Sequence, residues 1–188
     1  MKIFSTVNIT LIFLLLCPGR LPGQNNLKES LKPGAEYNVL DIWSGTWDIQ
    51  GEARDSLYGA FYPVSWTLKG NRVLNGYALE ISSQWKAGEI TQNGLGLIGY
   101  DPHRKIYMTN IYYDIDRSWC NSAISFTGKT TCVEHGATYY TTGKSVMWQN
   151  TWNFSEDGKS VTVKSEKLNT AGWWLTFEVK GTKITPGN

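Results

Sequence analysis

Trp43-Ser44-Gly45-Thr46-Trp47-Asp48-Ile49-Gln50-Gly51-Glu52 decides the reading of this chain. A short apolar approach ends at Gly45. An alternating segment then begins, with Trp47 and Ile49 on one face and Asp48 and Gln50 on the other. That period of two is the mark of a half-buried β-strand.

Working outward, the same pattern recurs. Strand-like segments are expected at Gly45–Arg54, Pro63–Lys69, Gly76–Trp85, Gly94–Tyr100 and Lys105–Asp114, then at Trp119–Phe126, Thr130–Thr141, Ser145–Phe154, Ser160–Leu168 and Gly172–Ile184. Lys86-Ala87-Gly88-Glu89, Asp101-Pro102-His103-Arg104 and Glu156-Asp157-Gly158-Lys159 separate them with turn chemistry, the last with an Asp-Gly hairpin signal. No segment beyond the leader sustains a 3.6-residue period, which argues against a parallel α/β architecture. About ten short strands in hairpin succession predict a single antiparallel up-and-down β-barrel, because closure removes the exposed sheet edges. Tyr37–Ser44 is expected as a short N-terminal helical turn that packs Leu40 and Trp43 over one barrel end, with Trp47 plugging it.

The first residues have a different character. Lys2 precedes an apolar core, Ile9 to Leu16, and Pro18, Gly19, Pro22 and Gly23 follow. This pattern predicts a secretory signal peptide over residues 1–23, cleaved near Gly23, and so a secreted or periplasmic protein. Cys17 lacks the small preceding residue of a lipid-attachment signal. Residues 24–38 are polar and predict a flexible leader, leaving residues 39–186 for the barrel. Removing Lys2 and Arg20 lowers Lys plus Arg from 18 to 16, equal to the 16 Asp plus Glu. A formally neutral chain without a Lys/Arg cluster has no electrostatic footprint for nucleic acid. No second apolar run predicts a membrane span in the mature chain.

Cys120 and Cys132 remain after processing. In an exported protein such a pair is expected to form a disulfide, worth roughly 2–3 kcal/mol in the chain-entropy model; two buried free thiols are the alternative. Asn153-Phe154-Ser155 is a glycosylation sequon.

Three groups of residues carry a resemblance. They are Leu40 with Gly45-Thr46-Trp47-Asp48-Ile49 and Gly51-Glu52, then Asn71-Arg72-Val73-Leu74-Asn75-Gly76-Tyr77, then Gly94-Leu95-Gly96-Leu97-Ile98-Gly99-Tyr100-Asp101. Over Leu40 to Asp116 the chain resembles the lipocalin-like family catalogued as domain of unknown function 1579. The resemblance implies a calycin-type barrel, commonly in exported bacterial proteins. It implies no established reaction, and therefore no catalytic residues.

A small barrel holds its ligand in the lumen or mouth. Nine Trp and ten Tyr supply rings with an apolar face and a polar edge, suited to a small, partly apolar molecule. Trp148, Asn150 and Trp152 share parity on one strand and form the clearest aromatic-polar stripe. Asn110 and Tyr112 share parity on another, although both faces of that strand are amphipathic. Together with Trp85 and Glu80, these residues are the expected ligand-binding set. Glu80 and Glu134 are the candidates if the lumen is instead a reaction chamber for isomerisation or cyclisation, since a carboxyl in a dry lumen can serve as acid or base. Glu134 and His135 are adjacent and should face opposite ways unless a bulge at Gly136 intervenes. No spacing suits a metal site, and no cofactor is expected. The three readings that remain are a non-catalytic binder, an enzyme and a packed structural barrel.

Overall fold

The computed structural model describes residues 32–184, so the expected signal peptide and the first part of the leader lie outside the described residues. A 3₁₀ helix, Ala35–Trp43, precedes ten strands: β1 (Gly45–Ala53), β2 (Tyr62–Val73), β3 (Ala78–Ala87), β4 (Ile90–Asp101), β5 (Ile106–Tyr113), β6 (Trp119–Phe126), β7 (Thr131–Tyr139), β8 (Ser145–Phe154), β9 (Ser160–Asn169) and β10 (Gly172–Ile184). A second short 3₁₀ turn, Leu74–Gly76, links β2 to β3. Each strand pairs antiparallel with its neighbours in sequence. β1 also pairs with β10, from Thr46 opposite Ile184 to Ala53 opposite Phe177, so the sheet closes on itself. The fold is the expected ten-strand up-and-down barrel.

The pleat sorts the side chains. On β1 the odd residues Trp47, Ile49 and Ala53 are buried, while Thr46 and Gln50 face solvent. The period of two read from Trp47-Asp48-Ile49-Gln50 is therefore the inward-outward alternation of a barrel wall. Inward residues on the other strands obey the same rule: Val64, Trp66 and Leu68 on β2, Leu79, Ile81 and Ser83 on β3, and Val161, Val163 and Ser165 on β9.

The two ends differ. The helix covers the end formed by the β2–β3, β4–β5, β6–β7 and β8–β9 turns. Its Leu40 and Trp43 are buried, and the Trp43 ring meets Phe126, Trp152 and Phe154 edge-on at centroid distances of 5.8, 6.2 and 5.7 Å. Trp47 adds an edge contact to Phe154 at 5.7 Å. Edge-to-face geometry adds about 0.5–1.5 kcal/mol per pair beyond the area buried. Arg72 straps the helix down: its Nε donates to Asp41 Oδ1 at 2.8 Å, its Nη1 to Gly76 O at 3.0 Å, and its Nη2 to Tyr37 O. Tyr107 Oη donates to Glu36 O at 2.7 Å from the far wall. Gly70 has no side chain because the Trp43 carbonyl occupies the space a Cβ would need. The plug expected from Leu40, Trp43 and Trp47 is thus present, and its helix begins at Ala35, inside the segment read as leader.

The expected disulfide is absent: Cys120 and Cys132 are both free and buried. The reason is register. In the β6–β7 hairpin Cys120 lies opposite Thr138, near the open end, while Cys132 lies opposite Phe126, beside the turn. Six rungs of sheet separate them, at about 3.4 Å each, far beyond the reach of an S–S bond. Among the described residues no helix is long and apolar enough to cross a membrane.

Candidate functional site

Above the aromatic plug the side chains do not fill the lumen. A cavity of about 420 Å³ runs from Trp43 at its floor to the end of the barrel opposite the helix. That volume lies within the usual range for small-molecule sites, roughly 300–1,000 Å³.

One wall is aromatic. Trp152 packs against Trp66 at 5.5 Å, Trp66 against Trp85 at 6.1 Å, and Trp85 against Phe177 at 5.3 Å, so the rings climb in a chain from floor to mouth. Trp148 completes the lining from β8, and its Nε1 donates to Thr138 Oγ1 at 3.0 Å. Trp148 reaches this position by lying across Gly136, its register partner on β7. No bulge interrupts that strand.

A polar belt crosses the middle of the lumen. Thr109, Ser122, Glu134, Asn150 and Ser165 project inward from five successive strands, β5 to β9. Glu134 is its hub. Oε1 accepts from Ser122 Oγ at 2.6 Å, and Oε2 accepts from Asn150 Nδ2 and Trp152 Nε1, both at 3.1 Å. Every neighbour donates, so the two oxygens serve as acceptors and fix the Trp152 ring. The belt is not fully satisfied from within. Thr109 Oγ1 and Asn150 Oδ1 are buried without a hydrogen-bond partner. The Asn150 amide nitrogen is committed to Glu134, so what the side chain lacks is a donor to its buried Oδ1.

The mouth carries charge. Arg54, Asp55, Asp116 and Lys167 line it with Tyr62, Tyr113 and Tyr140. Arg54 donates from Nε to Leu175 O at 2.7 Å and from Nη1 to Leu57 O at 2.6 Å, and its guanidinium lies over Phe61 and Trp174. Tyr62 Oη donates to Asp55 Oδ1 at 2.5 Å. Burial, followed by that acidic partner, pushes the Tyr62 phenol up to about 12. Burial raises the Tyr113 phenol too, and the negative charges of Cys120, Glu134 and Asp116 would oppose its ionisation further. Lys167 is held below its usual range by burial, with the charge of Asp55 acting against that shift. Cys120, whose sulfur lies 2.9 Å from Thr138 Oγ1, is pushed up to about 11 by burial, so its thiol stays protonated at neutral pH.

The residues expected to line the lumen divide. Trp85, Trp148, Asn150 and Trp152 do so, and Glu134 joins them. Asn110, Tyr112 and Glu80 do not. On β5 the inward set is Tyr107, Thr109, Ile111 and Tyr113. Asn110 is exposed and accepts from Asn121 Nδ2 at 2.5 Å across the outer face, and Tyr112 stacks outside on Trp119. Glu80 lies opposite Asn71 and Leu97 on the outer face of β3, between the buried Leu79 and Ile81. His135 and His103 are exposed. Among the described residues no three His, Cys, Asp or Glu side chains are grouped to hold a metal ion. The sequence reading missed Lys167. Its signal was the parity it shares with Val161, Val163 and Ser165.

No protein-family model matches the sequence, and no curated protein matches it either. Solved structures do match in shape. Rv2717c from M. tuberculosis superposes with a TM-score of 0.60 at 11% identity, covering 81% of this chain and 99% of that one. The S-type phycobiliprotein lyase CPES from Guillardia theta superposes with a TM-score of 0.51 at 10% identity, covering 83% of this chain and 99% of that one. At such identities the likeness concerns architecture alone: this chain has a lipocalin-like barrel fold.

Proposed function

We propose that this protein is an exported binder of a small, partly apolar molecule, held in the barrel lumen without chemical change. The observation that carries the reading is the unfilled cavity of about 420 Å³ between an aromatic plug and an open mouth. A packed structural barrel would fill that space with side chains. Burial of apolar ligand surface against Trp66, Trp85, Trp148 and Phe177 supplies the affinity, at about 25 cal/mol per Å² removed from water before the costs of association. Asn150 and Thr109 line the cavity and carry unpartnered polar atoms, which a ligand would meet once their side chains turn toward it. The three donors already engaged by Glu134 suit a scaffold rather than a proton carrier.

The signal-like residues 1–23 support export, which N-terminal sequencing of the secreted protein would test by finding a start near residue 24. Gly45-Thr46-Trp47 and Gly99-Tyr100-Asp101 support distant membership of the family catalogued as domain of unknown function 1579. For binding, the test is titration with the neutral probe N-phenylnaphthylamine, followed by quenching of tryptophan fluorescence. Saturable quenching that Trp85→Ala weakens is expected. A probe that fails to bind, or binds the variant equally well, overturns the reading.

A further inference from the structure

We propose that the lumen's ligand is an amphipathic anion: an apolar body carrying one acidic group, carboxylate or sulfonate, that enters body first and leaves its acid against Lys167 at the mouth. This rests on the lumen being a binding cavity, and adds the charge and polarity of what it holds.

Five charged side chains line the lumen, and four of them are already engaged. Arg54 is spent on two backbone carbonyls and two aromatic faces. Asp55 accepts from Tyr62, Asp116 accepts from Ser118 N at 3.1 Å and Ser118 Oγ at 2.6 Å, and Glu134 holds three donors. Lys167 makes no hydrogen bond and no ion pair among the described residues. It projects inward between its register partners Trp148 on β8 and Trp174 on β10, so its stem is bracketed by two indole positions. An ammonium offers three donors and no acceptor, so the group that completes it is an anion. Burial disfavours its ammonium, and the charge of Asp55 only partly offsets that.

The depth profile gives the direction of entry. Lys167 sits one inward rung above Ser165, which pairs with Asn150; below them come Val163, Val161 and the tryptophan floor. The acid therefore stays at the rim, where it keeps part of its hydration, and the apolar body meets the aromatic wall. The mouth pairs two cations with two carboxylates, Asp55 and Asp116, which accept only from neutral donors, so the preference for an anion rests on the unused donors of Lys167.

The test compares two probes that share a skeleton and an N–H and differ in charge: neutral N-phenylnaphthylamine and anionic anilinonaphthalene sulfonate. A charge-assisted hydrogen bond predicts about a tenfold tighter Kd for the sulfonate. Lys167→Met should abolish that preference, with the neutral probe as the reference for any general effect on the lumen. Lys167→Arg should retain the preference, and circular dichroism would establish that both variants fold. If the neutral probe binds and the sulfonate gains nothing, or if Lys167→Met weakens both probes equally, the anion site is wrong while the lumen remains a binding cavity. If neither probe binds, both readings fall.

Discussion

Trp148 lies across the backbone of Gly136: a Cβ at residue 136 would come within 2.5 Å of the indole Cζ2. The contact is direct, from one inward position of β7 to its register partner on β8. Gly136→Ala should therefore push the indole off the strand and into the cavity. Overpacking of this kind costs about 1–3 kcal/mol, which urea unfolding would measure. The same variant should bind N-phenylnaphthylamine more weakly, because the displaced ring occupies ligand space. An unchanged affinity would mean that Trp148 is not a wall of the site.

Glu134 organises the belt, and its removal should be costly. Glu134→Ala leaves Ser122 Oγ, Asn150 Nδ2 and Trp152 Nε1 without their acceptor in a buried setting. Each stranded donor costs about 1–3 kcal/mol, with relief wherever water enters from the cavity. Glu134→Gln should be much milder, since its carbonyl can accept from Asn150 and Trp152 while its amide donates to Ser122. Chemical denaturation of the two variants would check the order; equal losses would deny Glu134 this role.

Lys167 gives the protein an alkaline signature. Its folded-state pKa lies below the usual 10.5 because burial disfavours the ammonium. Below that lowered value lysine is charged in both states, and its desolvation cost remains. As pH rises from there toward 10.5 the folded protein releases the proton first, so this group's contribution to stability improves with pH. The raised phenols of Tyr62 and Tyr113 pull the other way as the pH rises past 10. The comparison should therefore be with Lys167→Met. The variant should be the more stable at neutral pH, and its advantage should shrink as pH approaches 10.5. A constant advantage would show that Lys167 titrates normally.

Reducing agents should leave the melting temperature unchanged, because Cys120 and Cys132 are unbonded and six rungs apart. Both are buried with raised pKa values, and Cys132, which does not line the lumen, should be labelled by thiol reagents only in denaturant. Peptide mapping would resolve the two sites. A cross-linked peptide joining them would contradict the register.

The strands were readable because turn residues and the period of two agree along the chain. Gly158, at φ +66°, closes the β8–β9 turn that Asp157-Gly158 announces. Inward parity was readable only where one face of a strand is plainly apolar. On β5 both faces mix aromatic, aliphatic and amide groups, so Asn110 and Tyr112 were as plausible a lining as Thr109 and Tyr113. Only the neighbouring strands decide it: Thr109 is paired with buried Ile98 and Ser122, and Asn110 with exposed Leu97 and half-buried Asn121. Lys167 hid beside Lys164 and Glu166, which form an ion pair outside. The free cysteines were hidden for a related reason, since separation along a chain carries no information about which rungs a hairpin aligns.

The seam between β1 and β10 sets a condition on how this protein is made. Thr46 meets Ile184, so the first strand waits for the last before its outer edge is paired. A nascent chain that has emerged only as far as β9 is an open sheet with two bare edges and a stripe of tryptophans unroofed, the state most exposed to edge-to-edge aggregation. Closure at such sequence separation is slow compared with hairpin formation. Truncation before Gly172 should therefore give insoluble chains rather than a smaller barrel, and production should depend on how well the unfinished sheet is sheltered until its final strand arrives.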